Sequence, residues 1–187
     1  MIAIGIDPGT RNLGWGVVEA NGNRLVHLGH GVVRVRGEET LSRRLLHIAD
    51  ELGLILQHYC PEVGSVEGIF FDKNAQSAAK LGHARGVVLL CLERAQVPIR
   101  EHSPARIKRT VAGSGAAEKS QVNKMVCAIL RLDSAPPLDA SDALAVAITE
   151  LRVDPRATAF SELARKAKAR RMPAHFAAAL ERSKKLR

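Results

Sequence analysis

The chain opens on a short apolar run, Met1 to Ile6, that stops at Asp7 and the turn-forming Pro8-Gly9-Thr10, which is the pattern of a buried strand. Leu13 to Glu19 predicts a second strand, Asn21-Gly22-Asn23 supplies hairpin-turn chemistry, and Arg24 to Val35 alternates well enough for a third. These three would form an antiparallel meander. From Leu41 the apolar positions Leu45, Ile48, Leu52, Ile55 and Tyr59 recur at three- and four-residue spacing, predicting a long amphipathic helix that Pro61 ends. Ser65 to Phe71 then reads as a compact strand with Glu67 in its middle. Asn74 is a candidate cap for a small-residue helix from Ala75 to about Ala95, and Val97 to His102 predicts a fifth strand. Three helical stretches follow, Pro104 to Val111, Glu118 to Leu132 and Asp139 to about Leu151, the last two parted by a segment holding Pro136-Pro137.

Three strands in a meander, then helix, strand, helix, strand and terminal helices, is the element order of a ribonuclease-H-like α/β fold. Its five-stranded mixed sheet would be flanked by helices, whereas ferredoxin-like and doubly wound layouts need a different rhythm. With 46% hydrophobic residues in 187, the chain can bury one good core and little more. We therefore expect one catalytic-sized domain over residues 1–151 and a separate tail over 152–187. Charge divides at the same place: 17 basic and 16 acidic side chains precede residue 152, and 11 basic and 3 acidic follow. The tail lacks a sustained apolar face and is expected to be flexible, a basic arm suited to a polyanion or simply a solvated run. Aromatics make up 3% of the chain, too few for a broad base-stacking platform. Cys60, Cys91 and Cys127 are widely spaced and odd in number, so buried thiols are expected rather than disulfides or zinc. The apolar start breaks at Asp7 without a basic leader, which points away from a membrane segment and toward the cytoplasm.

The candidate chemistry is acidic. Asp7 ends an apolar strand, where it either caps the following turn or holds a cation. Glu67 sits among apolar and small residues, and an unpaired carboxylate there would cost several kcal/mol, so it needs a partner, either a basic side chain or a metal. Asp139 and Asp142 are three apart at a helix start and project from one side of its first turn. Taken singly, turn, salt bridge and helix cap explain them. Brought together in the proposed fold, four carboxylates would repel one another unless a cation were bound, and magnesium prefers such oxygen ligands.

The stretches IGIDPGTRNLGWGVV, SVEGIFFDKNAQSAAKLGHARGVVL, GSGAAEKSQV and LDASDALAVAI resemble, in order and spacing, the RuvC-type Holliday junction resolvases, over roughly residues 1–151. The resemblance implies a homodimeric, magnesium-dependent endonuclease that nicks four-way DNA junctions symmetrically during recombination and repair. It also implies an association with branch-migration proteins and, within the cytoplasm, with the nucleoid. The family's catalytic, metal-holding acids fall on Asp7, Glu67, Asp139 and Asp142, its DNA-contacting aromatic on Phe70, and its basic contacts on Lys108 and Lys119. Two magnesium ions, or manganese in their place, would activate water and stabilise the leaving oxygen, with Lys119 neutralising charge on the scissile phosphate. Phe70 and Phe71 divide by strand alternation, one toward the core and one free to wedge between bases. The tail beyond Leu151 lies outside the resemblance.

A twofold dimer would supply the paired sites that symmetric nicking needs. Ala75, Ala78, Ala79, Gly82 and Gly86 share one helix face that either admits a second helix closely or packs within the monomer. The DPGT turn also imitates actin-type ATPases, but these need a second, duplicated domain for which the chain has no room. A junction-binding module without cleavage, or a nuclease for RNA or plain duplex, are the remaining alternatives.

Overall fold

The computed structural model describes residues 1–22, 24–35, 40–68 and 75–153. The strands are β1 (Ile2–Asp7), β2 (Asn12–Asn21), β3 (Arg24–Arg34), β4 (Val63–Glu67) and β5 (Ile99–His102). The helices are α1 (Leu41–Tyr59), α2 (Ala75–Arg94), α3 (Pro104–Ala112), α4 (Lys119–Leu130) and α5 (Leu138–Val153). The strands lie in the order β3-β2-β1-β4-β5. β1 pairs antiparallel with β2 and parallel with β4, and β4 pairs parallel with β5. This is the predicted five-stranded mixed sheet of a ribonuclease-H-like fold.

Period-two alternation gives the sheet two unlike faces. One carries Ile4, Ile6, Leu13, Val17 and Val66, which bury against Ile48, Leu52 and Leu56 of α1 and Val88, Cys91 and Leu92 of α2. The other face carries almost no bulk where α5 crosses it. A Cβ on Gly5 would fall 2.0 Å from the carbonyl oxygen of Ala143, and one on Gly14 would fall 2.0 Å from that of Asp139. Ser65, also on this face, is small enough to donate its hydroxyl to the Val146 carbonyl at 3.2 Å. The alanine-rich α5, buried from Ala143 to Leu151, therefore lies backbone-close across β1, β2 and β4. That close approach fixes where its first turn ends up, which is over the edge of the sheet.

Two expectations shift. The predicted strand from Ser65 to Phe71 instead occupies Val63–Glu67, so Glu67 is its last residue rather than its middle. Its partner β5 ends at His102, whose carbonyl accepts from the backbone N–H of Gly68. Residues 69–74, with Phe70, Phe71 and the proposed Asn74 cap, lie outside the described residues, as do residues 154–187 of the tail. The thiols also differ from expectation: Cys91 is buried and Cys127 half-buried, but Cys60 is exposed. Cys60 ends α1 in the left-handed conformation at φ 46°, where its backbone N–H caps the helix and its side chain points outward.

Candidate active site

Both central strands end on an acid at the same edge. Ile6 pairs with Val66 in parallel register, so the next residues, Asp7 and Glu67, leave the sheet side by side. Asp7 shares a strand face with Gly5 and Glu67 shares one with Ser65, and α5 covers both. Asp7 is paired in register with Gly14, and the missing side chain of Gly14 admits the backbone of Asp139. One turn on, Asp142 reaches the same edge, where its Oδ2 accepts from Lys119 Nζ at 3.0 Å. Lys119 is the first residue of α4, and so it stands where that helix's N–H groups also point outward.

The electrostatics bind these groups into one site. Burial pushes the Asp7 carboxyl up from 3.8 to about 7, and the charges of Asp142, Glu67 and Asp139 add to the shift while Lys119 opposes it. Glu67 is also raised, first by burial and then by Asp142, with Lys119 and Lys108 pulling the other way. Lys119 is held above its ordinary value by its hydrogen bond to Asp142 and by that residue's charge. Of the groups expected from the sequence, the other three acids and Lys119 thus act on Asp7, and Lys108 acts on Glu67. Phe70 lies outside the described residues.

This donor set suits a hard divalent cation: it is all oxygen, half-buried, and overloaded with like charge that a cation would relieve. Among the described residues no three His, Cys, Asp or Glu side chains form a ready-made cage. Such a loose set matches an ion that keeps several waters and takes oxygens from substrate phosphates. The Lys119 and Asp142 side chains are 74% and 28% exposed, so their ion pair contributes little and Lys119 can turn to a phosphate at small cost.

Sequence reasoning missed two supports of this edge. Arg85 of α2 is buried, donates to the backbone carbonyl of Glu67 and pairs with Glu101 at 2.7 Å. It thereby ties α2 to the last residue of β4. His102, opposite Glu67 in register, buries its Nε2 2.7 Å from Glu150 Oε2 and joins β5 to α5. An arginine inside a small-residue helix was a usable signal for the first. Nothing in the sequence joined His102 to Glu150, because only the register brings them together.

A ribonuclease-H-like sheet with acids gathered at the end of its two central strands defines a class of phosphodiester-cleaving enzymes. The family described as Crossover junction endodeoxyribonuclease RuvC matches residues 3–150. A relative of that description from Sorangium cellulosum (strain So ce56) is 54% identical over 151 residues, which is 81% of this chain and 84% of the relative. Another, from Citrifermentans bemidjiense, is 44% identical over 148 residues, 79% of this chain and 90% of its own. Among solved structures, T. thermophilus RuvC in complex with a Holliday junction substrate superposes with a TM-score of 0.76 at 38% identity, covering 80% of this chain and 92% of that one. The yeast mitochondrial Holliday junction resolvase Ydc2, at 11% identity and a TM-score of 0.60 over 88% and 85% of the two chains, shares the fold alone. The chain belongs to the RuvC family of crossover junction endodeoxyribonucleases.

Proposed function

We propose that the chain resolves four-way DNA junctions by divalent-metal-dependent nicking, with Asp7, Glu67, Asp139 and Asp142 as the metal-holding and catalytic acids. The observation that carries this reading is that three chain segments, distant in sequence, bring four carboxylates to one sheet edge and a fourth adds Lys119. Magnesium, or manganese in its place, would be held as two ions per site and would supply a water nucleophile and a stabilised leaving oxygen. Asp7, the most central acid, must be ionised to take part. Lys119 exchanges Asp142 for a phosphate oxygen and offsets its charge, and Lys108, near enough to act on Glu67, lies along the same phosphate path. Phe70 is proposed to contact bases near the crossover.

The substrate's twofold symmetry calls for a homodimer, and we place its contact on the α2 face that includes Gly82 and Gly86. Association with branch-migration proteins, a phosphate-binding role for the basic tail 152–187, and a cytoplasmic, nucleoid-associated location complete the proposal. Among the described residues no helix is long and apolar enough to cross a membrane.

The deciding experiment is cleavage of a synthetic four-way junction in magnesium by the wild type and by Asp7→Asn, with linear duplex and RNA-DNA hybrid as competing substrates. Wild type is expected to nick the junction in preference to both, chelator to stop it, and Asp7→Asn to be slowed by at least about a thousandfold, as for loss of a group central to catalysis. An Asp7→Asn protein as fast as wild type removes the metal-nuclease reading. Preference for the hybrid removes the junction assignment.

A further inference from the structure

The two helices that meet at the acid edge also meet at their far ends. α4 and α5 run parallel, with Lys119 bonded to Asp142 at one end. At the other, Arg131 at the C-cap of α4 and Arg152 in the last turn of α5 line one surface concavity. It measures about 380 Å³, and Arg24 and Leu25 of β3 and Ile129 of α4 complete its lining. Three arginines from three elements thus line one concavity, with no carboxylate among its lining residues. Among the described residues neither Arg24 nor Arg131 has an ion-pair partner, and Arg152 gives only a 3.3 Å hydrogen bond to the Thr110 carbonyl. Arginine cannot shed its charge by deprotonating, so a concavity lined by three of them and by no carboxylate attracts anions. The planar forks match phosphate oxygens in pairs, and the Leu25 and Ile129 side chains thin the water around them.

We infer that this arginine cradle is a second DNA-backbone site, which grips the phosphates of a junction arm whose crossover lies at the acid edge. The inference rests on the junction-resolving reading for its ligand, and its location rests on helix geometry. Asp142 and Arg152 are ten residues apart on α5, about 15 Å, and Lys119 and Arg131 are twelve apart on α4, about 18 Å. At about 3.4 Å per base pair, a duplex laid along these helices from the acids reaches the cradle after roughly five base pairs. The charge beyond it fits the same ligand. Residues 154–187 of the sequence carry ten basic and three acidic side chains, so the chain beyond Arg152 is itself suited to a polyanion and poor in acidic segments that could occupy the cradle.

The test is binding of a long-armed four-way junction in chelator, followed across a salt series, by the full-length wild type and by Arg24→Gln/Arg131→Gln/Arg152→Gln. These side chains are exposed, so the variant is expected to fold. Its slope of log affinity against log salt should be shallower by about two to three, at about 0.9 for each phosphate no longer neutralised, while the matching triple Arg→Lys variant keeps most of the slope. A junction carrying neutral methylphosphonate linkages four to six base pairs from the crossover should bind wild type roughly tenfold more weakly and leave the triple Gln variant unaffected, since the same phosphates are already ungripped. An unchanged slope, or a methylphosphonate effect equal in both proteins, overturns the cradle. Wild-type cleavage of the same junction in magnesium is scored in parallel. Its failure would strike the resolvase reading, while the salt slope in chelator still decides the cradle independently.

Discussion

At Asp7 the same burial that readies the site for a cation makes the metal-free protein uneasy. Its carboxyl, raised from 3.8 to about 7, stays protonated in the fold at a pH where the unfolded chain has already lost the proton. The folded state therefore binds more protons between those two values, and this residue's contribution to stability falls as pH rises from about 4 to about 7. A shift of roughly three units is worth about 4 kcal/mol at full strength, and partial exposure screens it to about 2 kcal/mol. In chelator at pH 8, Asp7→Asn is expected to unfold at higher denaturant than wild type, with the gap closing toward pH 4. Magnesium should narrow the gap by stabilising only the wild type. Divalent-ion affinity, read by calorimetry, should fall about tenfold per pH unit below 7, because the cation must displace the proton. A wild type and Asp7→Asn pair with parallel stability curves across this range would show that Asp7 carries no such strain. Singly these acids were ambiguous in the sequence, since turn, salt bridge and helix cap each explain one of them, and only their joint placement in the expected fold and the family resemblance picked them out together. The His102–Glu150 pair was not legible, because either residue alone is ordinary and their 2.7 Å contact exists only through the register of β5 against α5.

Among the elements, α5 does most to form the site, and it does so by lying where side chains are missing. The chain order of strands and helices was readable from periodicity, whereas the closeness of α5 to the sheet was not, because a glycine in a strand signals a bend or a bulge as readily as a crossing helix. Likewise the predicted β4 began at Ser65, whereas the described strand runs Val63–Glu67, beside a partner β5 that ends at His102. The Gly14 contact makes the positioning role of α5 testable. A methyl group at Gly14 would fall 2.0 Å from the Asp139 carbonyl oxygen and 3.1 Å from its Cβ, so Gly14→Ala must push the first turn of α5 away from Asp7. The helix is anchored farther along by Ser65 and by the Glu150–His102 pair, and the shift should stay local. We expect junction cleavage to fall about a hundredfold, as for an ångström-scale misplacement of catalytic groups, while the salt dependence of junction binding in chelator stays at the wild-type value. Full activity in a folded Gly14→Ala protein would mean that the position of Asp139 is not set by this contact.

For the whole molecule, the proposed homodimer would bring two acid edges to a symmetric substrate. The small-residue face of α2, ambiguous in the sequence between internal packing and an interface, is resolved in part by what surrounds it. A Cβ added to Gly82 or Gly86 meets nothing within 4 Å, so neither glycine is needed for packing within the described part of the monomer. Glycine in a helix interior costs about 1 kcal/mol relative to alanine, and two of them one turn apart on an open face are a cost without an internal return. Exposed Leu81 and Leu90 lie on the same helix. A second copy of α2 approaching across the glycines would use both features, and a close helix crossing at a twofold axis would hold the two acid edges in fixed relation to each other. Gly82→Arg/Gly86→Arg tests this cleanly, since the new side chains enter open space in the monomer and should leave its fold intact or slightly steadier. The variant is expected to sediment as a monomer where the wild type sediments as a dimer. On junctions it should give single, uncoordinated nicks in place of paired ones, with the nicked intermediate accumulating. If it still sediments as a dimer and cuts both strands together, the α2 face is not the interface, and the glycines need another explanation.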